Sequence, residues 1–380
     1  MEIFKIEEND ANQRLDKFLK KLFPNATRSL IYKLNRKEKI KIKPSSLTLF
    51  TEEEGDNSNK FKKKDNEYKL QIWDEVKIFL SDEEFEKLSC IKGNSENKEL
   101  LHFDWFLPLQ KWHNEDTKNV VFPRPLGEGR VRTKELDKND IVFEDSHLLV
   151  LNKPAWINVH PGDFKTKEIS VIQQVQDYLW DKLNSLTFKP SLVHRIDRDT
   201  SGILIIAKKK DILSRLMKDF KDHKKVKKTY YAIVLWKLSR NEWTIKKKLE
   251  RIENAQNENK VQISENWQIA ITHYKLLKEH NLQTKEGNIT ISELEVEIET
   301  WRMHQIRVHL ASLWNPILWD KNYWDKKMNA FFSRNFWLNR QALHAWKIEF
   351  FHYWREKDIQ LEARVKEDLK SFVGKLDWKK

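Results

Sequence analysis

The hydrophobic pattern of the first 43 residues predicts two short helices followed by a strand. Four apolar side chains recur at the spacing of one helix face: Leu15, Phe18, Leu19 and Leu22. Pro24 ends this helix, and Thr27 is placed to cap a second helix that runs through Leu34. Residues 39–43 (KIKIK) then alternate, as a strand with one apolar and one basic face does.

Beyond this unit the periodic pattern is interrupted twice. Residues 51–67 are polar and low in complexity, which is typical of a flexible insertion. Residues 83–138 show weak periodicity and several prolines, which favours a linker or an irregular insertion. We therefore predict a small N-terminal domain over residues 1–82 and a larger domain over residues 139–380.

The larger domain alternates irregularly between strand-like and helix-like segments. Strands are predicted at 141–151 (a hairpin), 203–207, 230–235 and 294–298, and helices at 211–220 and 304–313. An irregular alternation of this kind predicts an α+β fold, in which a central mixed or antiparallel sheet is flanked by helices.

The net charge of the chain indicates what kind of partner it binds. Lys and Arg total 71 against 58 Asp and Glu, a formal charge of +13, which favours a polyanionic partner. Residues 10–43 contain eleven basic and three acidic side chains. Five of the basic residues suit contact with an RNA backbone: Arg14, Lys17, Arg28, Lys33 and Arg36. The alternative is that these side chains only solvate two ordinary helices.

Other features exclude whole classes of protein. The longest apolar runs fall far short of a membrane span, and the first ten residues lack the basic and apolar regions of a secretory signal. Cys90 is the single cysteine, which excludes a disulfide framework and a cysteine zinc cluster. We therefore expect a cytoplasmic protein without a membrane partner.

The segment 191–208 (SLVHRIDRDTSGILIIAK) has the strongest chemical signal. In it Asp197 lies between Arg195 and Arg198, in a polar loop that leads into an apolar strand. A carboxylate among guanidinium groups stays ionised at neutral pH, as an anionic nucleophile or base must. The alternative is a structural ion-pair loop. A kinase-type His-Arg-Asp motif does not apply, because Ile196 separates Arg195 from Asp197.

Four segments, in order, resemble the RluA-type pseudouridine synthases. They are residues 144–162 (EDSHLLVLNKPAWINVHPG), 194–202 (HRIDRDTSG), 228–234 (KTYYAIV) and 304–310 (HQIRVHL). The N-terminal domain resembles the S-four-like (αL) RNA-binding domain at residues 13–19, 28–31 and 68–72. This pairing implies a pseudouridine synthase fold that acts on large-subunit ribosomal RNA, free or in a ribosomal precursor, rather than on transfer RNA.

The resemblance also implies roles for individual residues. Asp197 would be the essential catalytic group, acting on the ribose of the target uridine while the base detaches, rotates and reattaches through carbon. Arg307 would pair with Asp197 and keep it ionised. In the implied pocket, Tyr230 would stack on the flipped base and Arg195 would fill the space that the base leaves. Ile306 and His194 would complete the pocket. No metal or organic cofactor is implied.

RNA is therefore the expected partner, and we expect a monomer. Within the basic run 208–228, Lys208 is predicted to contact phosphate beside the catalytic loop, with a plain solvated helix as the alternative. Two other functions stay open from the sequence. One is a catalytically inactive RNA-binding factor for ribosome assembly, and the other is a transfer-RNA pseudouridine synthase.

Glycine and tryptophan occur in unusual numbers. The chain has 16 tryptophans but only 8 glycines, whereas glycine ordinarily makes up about 7% of a chain. Tryptophan occupies seven positions at which the resembled families carry glycine: Trp73, Trp156, Trp236, Trp301, Trp314, Trp319 and Trp324. A turn glycine supplies a positive φ that a bulky residue tolerates poorly. We hypothesise that UGA codons read as glycine have been translated as tryptophan; lineage-specific drift is the alternative.

Overall fold

A computed structural model of the chain shows two units. It describes residues 1–45, 60–89, 135–161, 169–179, 183, 185–222, 225–253, 259–265, 267–284, 287–324, 326–336 and 338–378. The first unit comprises Met1–Arg132 and Asp181–Lys189, and the second comprises Thr133–Trp180 and Pro190–Lys380. Most of the expected insertion (51–59) and most of the expected linker (90–134) lie outside the described residues.

The first unit contains the helices and the strand that the hydrophobic pattern predicts. Its elements are β1 (Glu2–Lys5), α1 (Leu15–Leu22), α2 (Arg28–Arg36), β2 (Ile40–Lys43), β3 (Glu75–Ile78) and α3 (Asp82–Ser89). The strands form an antiparallel sheet in the order β1-β3-β2. Helix α1 buries its predicted apolar face, and the Thr27 side chain caps α2 by accepting a hydrogen bond from the Leu30 amide at 3.2 Å.

Two segments beyond the predicted N-terminal domain also belong to the first unit. Phe85 and Leu88 of α3 pack against the core of this unit, although the sequence predicts a linker from residue 83. Residues 185–187 return to it from far along the chain and donate four hydrogen bonds to the buried carboxylate of Asp10. Such a long-range contact leaves no periodic signal in the sequence, so the hydrophobic pattern cannot indicate it.

The second unit contains the remaining strands and helices. They are β4 (Ile141–Glu144), β5 (Leu148–Lys153), α4 (Val171–Tyr178), β6 (Ser191–Leu192), β7 (Ser201–Ala207), α5 (Lys210–Lys221), β8 (Val226–Leu235), β9 (Glu242–Glu253), β10 (Asn259–Ile263), β11 (Gln268–Thr284), β12 (Gly287–Ile298), α6 (Gln305–Ala311), α7 (Lys326–Phe336), β13 (Leu343–His352), β14 (Lys357–Glu362) and α8 (Glu367–Trp378). Every segment predicted as helix or strand in this unit contains an element of that type.

One large sheet organises the second unit. Its strand order is β10-β9-β11-β12-β8-β13-β7-β5-β4, with β14 beside β13 and β6 beside β7. The β13–β7 pair is parallel, and the pairs on either side of it are antiparallel. The predicted α+β fold with a mixed sheet is therefore confirmed. Strands β5 and β7 are buried along their whole length, so the loop before β7 rises from the interior of the sheet.

No helix in the described part of the chain is both long enough and apolar enough to cross a membrane.

Candidate active site

Asp197 lies in the loop that joins β6 to β7. Its side chain is 32% exposed, while that of the adjacent Ile196 is buried. The backbone amide of Thr200 donates to the carbonyl oxygen of Asp197 at 3.2 Å, and Gln341 Nε2 donates to Thr200 Oγ1 at 2.5 Å. The loop is therefore held by one hydrogen bond within it and by one from Gln341, and it presents a partly exposed carboxylate.

Gly202 allows two strands to approach each other closely at the end of this loop. Its φ is +112°, and a Cβ atom there would lie 2.2 Å from the carbonyl oxygen of Ala345 on β13. No side chain fits this space, since the nearest atoms belong to the backbone of the neighbouring strand. The glycine therefore permits the parallel pairing of β7 with β13 that places the loop.

Lys153, at the end of β5, also holds the loop. It is fully buried, and its Nζ donates to the carbonyl oxygens of Pro154, Ile157 and Arg198 at 2.7, 3.0 and 2.9 Å. Burial lowers the pKa of Lys153 to about 7, against the opposing charges of nearby carboxylates. Lys153 lies in one of the resembling segments, yet no sequence pattern indicates this role, because its acceptors are backbone atoms that only the fold brings together.

Arg307, on α6, contacts Asp197 directly. Its Nη1 donates to Asp197 Oδ2 at 3.0 Å, and its side chain is only 7% exposed. A second carboxylate, Asp320, accepts from Arg307 Nε at 2.7 Å and from Nη2 at 2.9 Å. Burial lowers the pKa of Arg307, but the hydrogen bonds and charges of Asp320 and Asp197 outweigh this effect and raise it above its ordinary value. The guanidinium is thus a fixed cation between two carboxylates.

Asp320 is a site residue that sequence reasoning misses. It is fully buried, and its Oδ1 also accepts from the backbone amides of Asn322 and Tyr323 at 2.9 and 3.2 Å. In the sequence it is a single acid between two of the unusual tryptophans, with no spacing that ties it to Arg307. Only the fold after α6 brings the two side chains together.

Tyr230 and Ile306 occupy neighbouring elements of the site. Tyr230 lies on β8 and is 8% exposed, and burial together with the charge of Asp197 raises the pKa of its hydroxyl. Ile306 directly precedes Arg307 on α6 and is buried. The structure therefore brings Tyr230 into the electrostatic range of Asp197, and it places Ile306 on the helix that supplies the arginine.

His194 and Arg195 lie in the same loop as Asp197 but in different surroundings. The His194 ring stacks on the Phe220 ring at 5.1 Å, and its Nε2 accepts from the Ile205 amide at 3.2 Å. Burial, together with the charge of Lys228, holds the pKa of His194 well below its ordinary value. Arg195 is exposed. Of these two predicted pocket residues, His194 is therefore half-buried against Phe220 and Arg195 faces solvent.

His304 is a further residue close to Asp197. It precedes α6 with a φ of 54°, a left-handed conformation that is uncommon outside glycine, and its Nε2 lies 3.8 Å from Asp197 Oδ2. Its Nδ1 lies 2.8 Å from the Tyr323 hydroxyl, which accepts from the Val261 amide at 2.9 Å. When that hydroxyl donates to Nδ1, the proton of the neutral ring is on Nε2 and faces Asp197.

The predicted RNA-binding residues of the first unit differ in exposure. Lys17, Arg28, Lys33 and Arg36 are exposed. Arg14 is half-buried and makes two hydrogen bonds to Asp16, each of 3.0 Å. Their contact with RNA stays a prediction.

Lys208 does not have the surroundings that the sequence predicts. It is 5% exposed, and its Nζ donates to Glu144 Oε1 at 2.6 Å and to the Asp145 carbonyl oxygen at 2.7 Å. The phosphate contact stays a prediction, and the burial and pairing of Lys208 speak against it, because the basic run begins at the end of the buried strand β7. Its first lysine is therefore paired within the protein.

These residues together provide a carboxylate that is partly open to solvent and held by a buried cation. Such a group can act as a nucleophile or as a base. In the described ranges, no three His, Cys, Asp or Glu side chains come together as a metal site.

Three comparisons relate the chain to known proteins. A family model described as RNA pseudouridylate synthase matches residues 147–312. The chain is 32% identical to the ribosomal large subunit pseudouridine synthase C of Buchnera aphidicola subsp. Baizongia pistaciae, over 94% of this chain and 92% of the relative. It is 28% identical to the tRNA pseudouridine synthase C of Vibrio parahaemolyticus, over 63% of this chain and 95% of the relative. A solved human structure, RNA pseudouridylate synthase domain containing 4, aligns with a TM-score of 0.49 at 21% identity, over 63% of this chain and 93% of that one.

Proposed function

Since this chain belongs to the RNA pseudouridine synthase family, we propose that it converts specific uridines of large-subunit ribosomal RNA to pseudouridine. The relative named for the ribosomal large subunit matches along 94% of this chain, whereas the relative named for tRNA matches along 63%. The proposal for ribosomal RNA rests on that difference. We further propose that the enzyme acts as a monomer in the cytoplasm.

The 3.0 Å contact between Asp197 and Arg307 carries the proposed mechanism. The reaction breaks the bond between ribose C1′ and uracil N1 and forms a bond between C1′ and C5. In the product, C5 has lost its proton and N1 has gained one. Asp197 acts on the ribose, for which it must be ionised and open to the substrate. The buried guanidinium donates a hydrogen bond to the carboxylate, and the 32% exposure of the side chain leaves the carboxylate accessible.

Arg195 and Tyr230 support the flipping of the target base in this proposal. Arg195 is exposed two residues before Asp197, where it fills the space that the extruded base leaves in the RNA. Tyr230 offers an aromatic face beside Asp197 for the flipped uracil. The raised pKa of Tyr230 keeps its hydroxyl protonated at neutral pH, so that it donates a hydrogen bond rather than repelling the carboxylate.

Mapping of pseudouridine on unmodified large-subunit ribosomal RNA tests the proposal. We expect the wild-type protein to form pseudouridine and Asp197→Asn to form it about 10³-fold more slowly or not at all, because an amide cannot replace the ionised group. Asp211→Asn, at an exposed acid on α5, is the matched control and should retain activity. Both variants should bind the RNA as tightly as the wild type.

Three results would contradict parts of this proposal. Wild-type activity in Asp197→Asn would remove the catalytic role of Asp197. Product on transfer RNA but not on ribosomal RNA would overturn the proposed substrate. Tight binding of ribosomal RNA by the wild type, without product from either RNA, would favour an assembly factor.

A further inference from the structure

We infer that Asp320 is a positioning residue for the reaction, because it fixes the Arg307 guanidinium in the orientation that presents Nη1 to Asp197. The inference rests on the proposed roles of Asp197 and Arg307. Asp320 acts through Arg307 and not on the RNA, since its own side chain is 0% exposed.

The hydrogen bonds divide the guanidinium into two edges. Asp320 occupies the edge formed by Nε and Nη2 in a bidentate arrangement, at 2.7 and 2.9 Å. Asp197 receives a single bond from Nη1, at 3.0 Å. A bidentate pair fixes the plane of a guanidinium, which one bond does not. The direction in which Nη1 points is therefore set by Asp320.

Asp320 is itself held in place by groups around it. Its Oδ1 accepts from the amides of Asn322 and Tyr323, and its carbonyl oxygen accepts from Asn329 Nδ2 at 3.2 Å. The Tyr323 hydroxyl then reaches His304, whose Nε2 lies 3.8 Å from Asp197 Oδ2. The contacts therefore form a closed path from Asp197 through Arg307 to Asp320, and from there through Tyr323 and His304 back to Asp197.

Charge gives Asp320 a second effect on the same atoms. One guanidinium cation is shared by two carboxylates, and the fully buried carboxylate makes the larger number of bonds to it. Without the charge of Asp320, the guanidinium would be free to turn and bind Asp197 through two nitrogens. That pairing would orient the carboxylate toward the arginine rather than toward the ribose.

The substitution Asp320→Asn tests this inference. We expect kcat to fall by about 10- to 100-fold while KM for the RNA stays unchanged, because the loss is one of orientation at the reacting group. Asp368→Asn is the matched control, since Asp368 makes a bidentate pair with the buried Arg340 at 2.5 and 2.9 Å. The control should unfold at a lower denaturant concentration but keep the wild-type kcat.

A double-substitution cycle separates positioning from a general structural effect. The variants are Asp320→Asn, Arg307→Lys and the two combined. If Asp320 acts only through Arg307, the combined variant should have about the same kcat as Arg307→Lys alone. Losses that multiply would overturn the inference, as would an unchanged kcat or a raised KM in Asp320→Asn.

A measurement on the unsubstituted protein keeps the inference testable if Asp320→Asn does not fold. The Nε–H of Arg307 should exchange slowly with solvent in arginine-labelled protein, because it is buried and bound to Asp320. Fast exchange would overturn the inference. The two proposals also fail separately: activity in Asp197→Asn removes the proposed function, whereas full activity in Asp320→Asn beside an inactive Asp197→Asn removes only the role of Asp320.

Discussion

Five tryptophans have backbone conformations that suit glycine. Their φ values are 72° at Trp73, 72° at Trp156, 70° at Trp236, 62° at Trp314 and 61° at Trp319. All five are among the seven positions at which the sequence indicates a missing glycine. None of the described tryptophans outside those seven positions has a positive φ. They are Trp243, Trp267, Trp346, Trp354 and Trp378. The left-handed conformation costs a side-chain-bearing residue about 1–2 kcal/mol, so the pattern supports the glycine hypothesis.

The remaining two of the seven positions are not at positive φ. The backbone conformation of Trp301 therefore does not support the glycine hypothesis at that position. Trp324 has a buried Nε1 with no hydrogen-bond partner among the described residues, and so does Trp319. A buried donor without an acceptor costs about 1–3 kcal/mol, which is a second reason why an indole is a poor fit at these two sites.

Trp314→Gly should stabilise the chain as written. Trp314 is 81% exposed at a φ of 62°, so glycine relieves backbone strain and sacrifices little packing. Trp267→Gly is the control, because Trp267 is 54% exposed without a positive φ. We expect the free energy of unfolding to rise by about 1 kcal/mol for Trp314→Gly and to fall by about 0.5–1 kcal/mol for Trp267→Gly in urea titrations.

The gene and the protein from its source organism test the hypothesis directly. We expect UGA codons at the seven positions. The intact mass of the natural protein should be lower than the mass of the chain as written by the difference between tryptophan and glycine at each of these positions. UGG codons at Trp314 and Trp319 would contradict the glycine hypothesis and favour lineage-specific drift to tryptophan.

At the scale of elements, the loop that carries Asp197 is fixed by the strands that flank it. Ser201, the first residue of β7, bonds through its Oγ to His344 Nδ1 on β13 at 2.8 Å, and His344 Nε2 donates to the Ala363 carbonyl oxygen at 3.2 Å. Burial lowers the pKa of His344 to about 4. His309, on the helix of Arg307, is also fully buried, and burial lowers its pKa to about 4 as well.

Acid should therefore destabilise this part of the fold. Both histidines are neutral in the folded chain and take up a proton near pH 6.5 in the unfolded chain, so the unfolded state binds more protons between about pH 6.5 and 4. The contribution of these two histidines to the free energy of unfolding should be constant above this range and fall as the pH drops through it. Each histidine contributes a loss of about 2 kcal/mol between pH 7.5 and pH 5.

Urea titrations at pH 7.5 and pH 5 check this expectation. His344→Asn keeps a polar atom near the position of Nδ1 but cannot be protonated. The loss of stability between the two pH values should be smaller in this variant than in the wild type by about 2 kcal/mol. An equal loss in both proteins would contradict the assignment to His344.

At the scale of the whole molecule, the first unit contributes an exposed basic surface on α1 and α2. Deleting residues 1–82 would be a poor test of that surface, because residues 185–187 would lose the Asp10 carboxylate to which they are bonded. Substituting exposed basic residues leaves these bonds intact.

Replacing Lys17, Arg28, Lys33 and Arg36 together by alanine should weaken RNA binding. On single-stranded RNA, the slope of log affinity against log salt should decrease by about 0.7 for each phosphate that the protein no longer neutralises. Replacing Lys357 and Lys370, which are exposed on the second unit, is the control and should leave the slope unchanged. An unchanged slope in the fourfold variant would show that this basic surface only solvates its helices.

Local patterns indicate more of the fold than of the site. The helix beginning at Thr27 and the strand over 203–207 are readable because a cap or an apolar run lies within a few neighbouring residues. The pairing of Asp197 with Arg307 is identified only through resembling segments, since 110 positions separate the two residues in the chain. Lys208 shows the opposite failure: a basic run indicates an exposed cation, yet burial beside Glu144 decides its partner.

By itself, the sequence determined the alternation of helices and strands and the charge of the molecule, because each of these depends on residue type and short-range order. The tertiary structure alone decided that Asp320 holds Arg307, that Lys153 holds the loop at Arg198 and that Asp10 binds residues 185–187. Each of these contacts joins groups whose burial and orientation arise only when distant segments pack together.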